Sequence, residues 1–343
     1  MSQGSTQNVD VPPAIAVLQM VTAPWITQAI YVVAKLGIAD LLAGRGQNAA
    51  ELAAATGTHA DSLARVMRAL VSVGIFQEDG GRYGLTPLGE TLRTDAPQTA
   101  RDFAIMFGES WHWSTLNDLL ESVRTGQTAF DRRFGKQLFE FLAENAEAGQ
   151  VFNRAMTSIS SPHVPAIAEA YDFSRFRCML DIAGGVGHVL AEVLRRNPQM
   201  RGILFDLPYA VDAARAALQA HPAASRIEMK TGDFFSEVPE GADLHFLKHI
   251  IHDWGDEHCE RILTSSRRAI APDGRLLVAE VVLPEGPEPS FGKFLDLEML
   301  LFTTNGRERT PKEYEALLRR SGYRMERVVP TATEIALVEA VPA

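Results

Sequence analysis

Leu180-Asp181-Ile182-Ala183-Gly184-Gly185-Val186-Gly187-His188 reads as an apolar strand, a glycine-rich turn and the start of a helix. Glycines in such a turn let a ligand come close to the backbone. A dinucleotide-binding turn has three glycines spaced G-x-G-x-x-G. Gly185 and Gly187 fit that spacing, but Leu190 holds the third place. Asp181 precedes the glycines, where a dehydrogenase has no need of a carboxylate. A carboxylate there suits a cationic ligand end, such as the amino group of a methionine moiety.

Working outward, short apolar runs alternate with helical stretches from Cys178 to the C-terminus. Strands are expected at Met179–Ile182, Gly202–Phe205, Ile227–Lys230, Leu244–Leu247 and Arg275–Val282, with two more near Met325–Val329 and Glu334–Glu339. The alternation predicts a doubly wound α/β domain, a parallel sheet covered on both faces. Such sheets bind ligands beyond the C-terminal ends of their strands. The second strand ends in Phe205-Asp206-Leu207-Pro208 and the third in Gly232-Asp233-Phe234-Phe235. Asp206 can accept hydrogen bonds from ribose hydroxyls. Asp233 can accept from an adenine amine, and Phe234 can pack on the adenine face. Each could also be an ordinary loop or capping residue. Three carboxylates at three consecutive strand ends would repel a pyrophosphate, which favours S-adenosylmethionine over NAD.

The N-terminal half has a helical texture. Residues 1–12 read as a tail, and Ala14 to Leu42 as an apolar helical stretch buried on more than one side, which points to a dimer interface. A helix from Ala49 to Ala55, a second capped by Asp61, and a hairpin around Glu78-Asp79-Gly80-Gly81 make a winged-helix pattern. DNA binding is the other reading of that unit. However, Arg65, Arg68 and Arg82 are matched by Asp61, Glu78 and Asp79, and a recognition helix must neutralise phosphates. Residues 100–170 are helical and rich in aromatics, with breaks at Gly126 and Gly135. The expected layout is a dimerisation domain over 1–100, a helical connector over 101–170 and a catalytic domain over 171–343.

Composition narrows the function. The 343 residues are 46% hydrophobic and 22% charged, with a net charge of −10, ordinary for about two soluble domains. The acidity argues against a general nucleic-acid binder. The apolar runs fall short of a membrane span, and the polar N-terminus lacks a signal-peptide layout, so a cytoplasmic location is expected. Two cysteines, Cys178 and Cys259, exclude a disulfide framework and a cysteine zinc cage.

The fourth strand runs into Lys248-His249-Ile250-Ile251-His252-Asp253-Trp254, and Gly306-Arg307-Glu308-Arg309-Thr310 follows later. Together with the three earlier strand ends, these segments resemble the small-molecule O-methyltransferases of the caffeic acid and hydroxyindole type, which include bacterial natural-product tailoring enzymes. The resemblance covers nearly the whole chain. It implies a class I methyltransferase domain with a winged-helix-like dimerisation domain, a homodimer, S-adenosylmethionine as cofactor, no metal and a small aromatic acceptor.

By the same resemblance, His252 is the general base, oriented by Glu280 and Glu308. An unperturbed imidazole, with a pKa of ~6.5, is mostly neutral at cytosolic pH. The cofactor residues are Asp181, Gly184, Gly185, Gly187, Asp206, Leu207, Gly232, Asp233, Phe234, Phe235 and Lys248. The acceptor residues are Met156, Asp253, Met299, Phe302 and Asn305, although a helical Met/Phe stripe is equally a core feature. Ala183 stands where many members have glycine and fits if its φ stays negative. A metal cluster of His245, His249 and His258 is disfavoured, because a strand-to-loop context scatters them. Two enzymatic alternatives remain: N-methylation, and relatives that turn the fold to hydroxylation, decarboxylation or pericyclic chemistry.

Overall fold

The computed structural model describes residues 11–343; the first ten residues of the expected tail lie outside them. The chain divides into two compact units. One holds the residues up to Trp113 together with Glu147–Ile159, and the other holds Ser114–Ala146 and Ser160–Ala343. The stretch 101–170 is thus divided between the two units.

In the first unit, the helices Pro13–Lys35 and Ile38–Leu42 are separated by Gly37, which takes a left-handed φ of 64°. The helix Ala49–Thr56 begins with a capping box in which Asn48 and Glu51 satisfy each other's backbone N–H. The helix Ala60–Ser72 is capped by the His59 side chain, which accepts from Ser62 N, and not by Asp61. Asp61 lies one residue inside, where its charge still favours the helix N-terminus. The hairpin strands β1 (Phe76–Asp79) and β2 (Arg82–Leu85) are joined by Gly80-Gly81, both at positive φ. Two such residues give the turn twist that strand pairing needs.

The core of this unit gathers Val33, Ile38, Leu52, Met67, Leu70 and Phe76. The helix Pro13–Lys35 leaves Leu18, Met20, Val21 and Trp25 exposed. At 23 residues it is, contrary to the sequence expectation, long and apolar enough to cross a membrane by length and composition.

The second unit is built on a seven-stranded sheet. Its strands are β3 (Cys178–Ile182), β4 (Arg201–Asp206), β5 (Ile227–Thr231), β6 (Leu244–Lys248), β7 (Arg275–Val281), β8 (Tyr323–Pro330) and β9 (Ile335–Pro342). Their spatial order is β5-β4-β3-β6-β7-β9-β8. The first five are parallel, whereas β9 runs antiparallel to both β7 and β8. The sheet is thus mixed, because β8 and β9 follow each other through a short turn with no crossover helix to reverse the chain. Every residue of β3 is buried, as expected for a central parallel strand. The clusters on the two faces centre on Leu180, Leu247, Ile262 and Val278, and on Met179, Leu190, Phe246 and Leu277. Strand order reverses between β3 and β6, so the crevice for a ligand opens at their C-terminal ends.

Candidate active site

Asp181 lies at the end of β3, Asp206 ends β4, and Asp233 follows β5. These strands are neighbours, so the three carboxylates line one edge of the crevice. Asp206 Oδ2 accepts from Gly185 N at 2.8 Å, and Oδ1 accepts from Leu207 N at 2.7 Å. The strand-end carboxylate thereby ties the glycine turn to the next helix. Asp233 Oδ1 accepts from Phe235 N at 2.8 Å. Phe234 and Phe235 are half-buried and pack with Trp254, Phe235 edge-on at 4.8 Å. A Cβ at Gly184 would come within 2.7 Å of the Asp181 carboxyl and Leu204, and one at Gly232 within 2.5 Å of the Phe205 ring. Gly187, at φ 76°, starts the helix His188–Arg196.

Burial pushes Asp181 up to about 7, with Lys248 pulling the other way. Lys248, at the end of β6, is itself pushed down to about 8 by burial, and its Nζ donates to Ser160 Oγ at 2.9 Å. Burial raises Asp206 as well. This cradle is acidic, with Gly185 open to its surroundings. It suits a cationic nucleoside and disfavours a pyrophosphate.

Ala183 has a φ of 56°, which corrects the expectation of a negative value. An L-residue there is strained by ~1–2 kcal/mol, and Gly loses ~0.5–1 kcal/mol of that advantage to chain entropy. Ala183→Gly is therefore expected to stabilise the protein by up to ~1 kcal/mol in urea unfolding. A lower midpoint in the variant would place the strain elsewhere.

Beyond β6 the chain enters the turn Ile251–Asp253, which carries His252. His252 is buried, and its Nδ1 lies 2.7 Å from Glu308 Oε1. Its Nε2 lies 3.6 Å from Asp253 Oδ1. Glu280, on β7, is fully buried but serves the backbone. Its Oε1 accepts from the N–H groups of Ile250, Ile251 and His252 at 3.0, 2.6 and 3.3 Å, and its Oε2 accepts from Tyr314 OH. The two acids expected to orient the imidazole therefore do different work. Glu308 holds the ring and Glu280 holds the turn.

Sequence reasoning missed Arg309, fully buried on the other side of the turn. Its guanidinium donates to Ile251 O and Trp254 O, both at 3.0 Å, and to Asp256 at 2.9 Å. Gly306 comes so close that a Cβ would lie 2.6 Å from His252 O, and Arg307 N donates to that oxygen at 2.8 Å. Asp296 holds Glu308 in turn, accepting from its N–H at 2.8 Å.

The electrostatics also correct the expected neutral imidazole. Burial lowers the His252 pKa, but the carboxylates of Asp253, Glu308 and Glu280 outweigh it and raise it to about 10. Asp253 is raised by burial to about 6 despite the imidazolium beside it. Among the described residues, His252, Glu280 and Glu308 are the one group with atoms close enough to share a metal ion. Four protein donors already engage Glu280, which fits a proton site and not a metal site.

His245, His249 and His258 occupy separate surroundings. His245 bonds Ser266 Oγ at 2.8 Å, His249 stacks on His252, and His258 lies against Phe235 and Trp254. Of the expected acceptor residues, Asp253 lies beside His252. Met299 and Phe302 are buried on the helix Gly292–Phe302, with Phe302 against Phe130 at 5.8 Å. Asn305 is exposed at a φ of 63°. Met156 belongs to the first unit, where it packs against the cluster of Ile105, Met106 and Val151.

Residues 113–324 match the O-methyltransferase domain family, and residues 18–95 match the O-methyltransferase dimerisation domain. The chain belongs to this family. It is 44% identical to the phenazine O-methyltransferase of Lysobacter antibioticus, over 97% of each chain. It is 33% identical to the phenazine-1-carboxylate N-methyltransferase of Pseudomonas aeruginosa, over 97% of this chain and 98% of the other. It also resembles the solved O-methyltransferase of neocarzinostatin biosynthesis in complex with S-adenosylmethionine and 2-hydroxy-5-methyl naphthoic acid. That match has a TM-score of 0.81 and 31% identity, and covers 95% and 98% of the two chains. The protein is an S-adenosylmethionine-dependent methyltransferase of secondary metabolism, with an N-terminal dimerisation domain.

Proposed function

We propose that this chain methylates a hydroxyl group on a flat aromatic or polycyclic metabolite, with His252 taking the proton, and that it works as a homodimer. The observation that carries this reading is the buried pair His252–Glu308. One ring nitrogen is held by a carboxylate at 2.7 Å, and the other, 3.6 Å from Asp253 Oδ1, is the atom that takes the acceptor proton once its resting proton has left. A carboxylate on one imidazole nitrogen fixes the tautomer and stabilises the charged ring. A nitrogen acceptor with a free lone pair has no such need. The 33% identity to an N-methyltransferase nevertheless makes product analysis part of the test. The exposed apolar face of the helix Pro13–Lys35 supports the dimer.

S-adenosylmethionine supplies an electrophilic methyl group on a positively charged sulfur. Asp181, Asp206, Asp233 and Lys248, with the glycine turn, are the residues that would hold it. Their chief contribution is alignment, since holding two reactants together removes an entropic barrier. Formation of S-adenosylhomocysteine over a panel of hydroxylated polycyclic arenes tests the reading, with the methylated atom assigned by NMR. O-methyl products support it, and turnover confined to amines or ring nitrogens overturns it.

The cradle has its own signature in binding. Asp181, raised to about 7, attracts a cation only when ionised. Affinity for S-adenosylmethionine is expected to rise as pH climbs towards 7, then to fall above pH ~8 as the ligand's own α-amino group loses its proton, in calorimetric titrations. Asp181→Asn is expected to bind more weakly and to flatten that rise. An unchanged slope in the variant would remove Asp181 from the cofactor site.

A further inference from the structure

We propose that His249 is a specificity-determining residue that hydrogen-bonds a polar atom of the acceptor, at the position peri to the hydroxyl presented to His252. This rests on the acceptor reading above and deepens it. His249 follows directly after β6. Its N–H donates to Ala279 O at 3.2 Å, and its φ is 53°. Among the described residues, three other than glycine have positive φ: Ala183, His249 and Asn305. All three lie in the turns and loops around the candidate site, where backbone strain is commonly retained for function.

The His249 ring stacks on His252, with centroids 5.0 Å apart and planes 28° apart, and faces His163 at 5.7 Å on another side. Both of its ring nitrogens are shut off from solvent without a hydrogen-bond partner. Two other buried histidines each have one nitrogen satisfied: His245 through Ser266, and His163 through Glu334 at 3.0 Å. A buried polar atom without a partner is costly, and an apolar ring would fill this place without that cost. A strained backbone carrying an unsatisfied imidazole makes sense where a ligand completes the bonds.

Burial and the nearby Lys248, His252 and His163 hold the His249 pKa well below its usual value. The ring is thus neutral and offers one N–H donor and one acceptor. The two histidines then divide the work, His252 taking the hydroxyl proton and His249 donating to a neighbouring ring nitrogen or carbonyl oxygen. The acceptor class is a hydroxyarene with such an atom beside the hydroxyl.

8-Hydroxyquinoline and 1-naphthol, which differ in that one ring atom, are the probes. Wild type is expected to prefer 8-hydroxyquinoline in kcat/KM by roughly tenfold or more, the worth of one buried hydrogen bond. His249→Phe, which keeps an aromatic ring and loses both nitrogens, should abolish the preference by raising KM for 8-hydroxyquinoline. The kcat and the 1-naphthol kinetics should change little, and the melting temperature of the free protein should not fall. His249→Gln should recover part of the preference. A preference that survives in His249→Phe overturns the proposal. So does a change in the dissociation constant for S-adenosylmethionine with acceptor selectivity intact, which would assign the ring to the cofactor. A variant that loses both acceptors and melts earlier also overturns it, because His249 would then be a support for His252. Wild type that methylates amines and no hydroxyarene defeats the underlying hydroxyl reading. Equal use of both probes by wild type defeats the role of His249 alone.

Discussion

Replacing His252 by alanine is expected to lower kcat/KM towards a weakly acidic phenol by ~10²–10⁴-fold, the usual worth of a positioned base. With its pKa raised to about 10, His252 holds a proton in the free protein at neutral pH. The same shift makes His252 a stronger base. The reactive complex contains one proton shared between the acceptor oxygen and the ring. The higher the ring's pKa, the more completely that proton leaves the oxygen. The resting proton has to be lost when a neutral phenol binds, so kcat/KM should rise with pH up to the lower of the two pKa values, acceptor or imidazole. His252→Ala can use only acceptor molecules already ionised in solution. The deficit should therefore shrink with an acidic nitrophenol and at high pH. S-adenosylhomocysteine formation, measured against pH for two phenols of different acidity, checks both trends. An equal deficit for both phenols at every pH would mean that His252 positions the acceptor without taking its proton.

The parts of this molecule that were legible in the sequence share a physical reason. The parallel strands β3, β4, β6 and β7 are runs of mostly buried apolar residues, the edge strand β5 is half-exposed, and the ends of β3, β4 and β5 carry Asp181, Asp206 and Asp233 in order along the sheet. Periodicity and strand ends are local, so one dimension suffices to read them. The antiparallel placement of β9 was not legible. It depends on which edge of the sheet a C-terminal hairpin joins, and the apolar pattern of a buried strand has no direction. The left-handed φ of Ala183 was hidden for a similar reason, because tertiary packing imposes it on a residue that does not favour it. The His252 and Glu308 pairing followed from resemblance, and the structure supplies its geometry. The work of Glu280 was not visible in the sequence. A carboxylate on a buried strand reads as a partner for a nearby histidine, and only the folded turn shows three N–H groups converging on one oxygen. Arg309 stands in a legible motif, but its function does not show there, since two of its partners are the carbonyl oxygens of Ile251 and Trp254, which a sequence does not display.

Glu308 and Glu280 are expected to fail differently when altered, and that contrast is the sharpest test of the site. Glu308→Gln keeps the shape of the side chain but removes the charge that fixes the imidazole tautomer and stabilises its protonated form. Loss of a buried carboxylate in that position is expected to cost ~10²–10⁴-fold in kcat. Stability should change little, because Glu308 Oε1 can still be matched by an amide oxygen towards Nδ1. Glu280→Ala removes the shared acceptor of three buried N–H groups and the partner of Tyr314 OH. Each donor left unpaired costs ~1–3 kcal/mol, so a loss of ~3–5 kcal/mol or more is expected in denaturant unfolding, beyond the usual range for one substitution. Glu280→Gln keeps an oxygen for the turn and can let its amide donate to the Tyr314 oxygen. It should fold near wild type, and with one negative charge fewer near the ring the His252 pKa should fall. Base strength then drops modestly, well short of the Glu308→Gln deficit. The prediction fails if Glu308→Gln retains wild-type kcat, or if Glu280→Ala unfolds at the wild-type midpoint. In the second case the His252 turn would be held by Arg309, the Arg307 N–H and the Gly306 contact without Glu280.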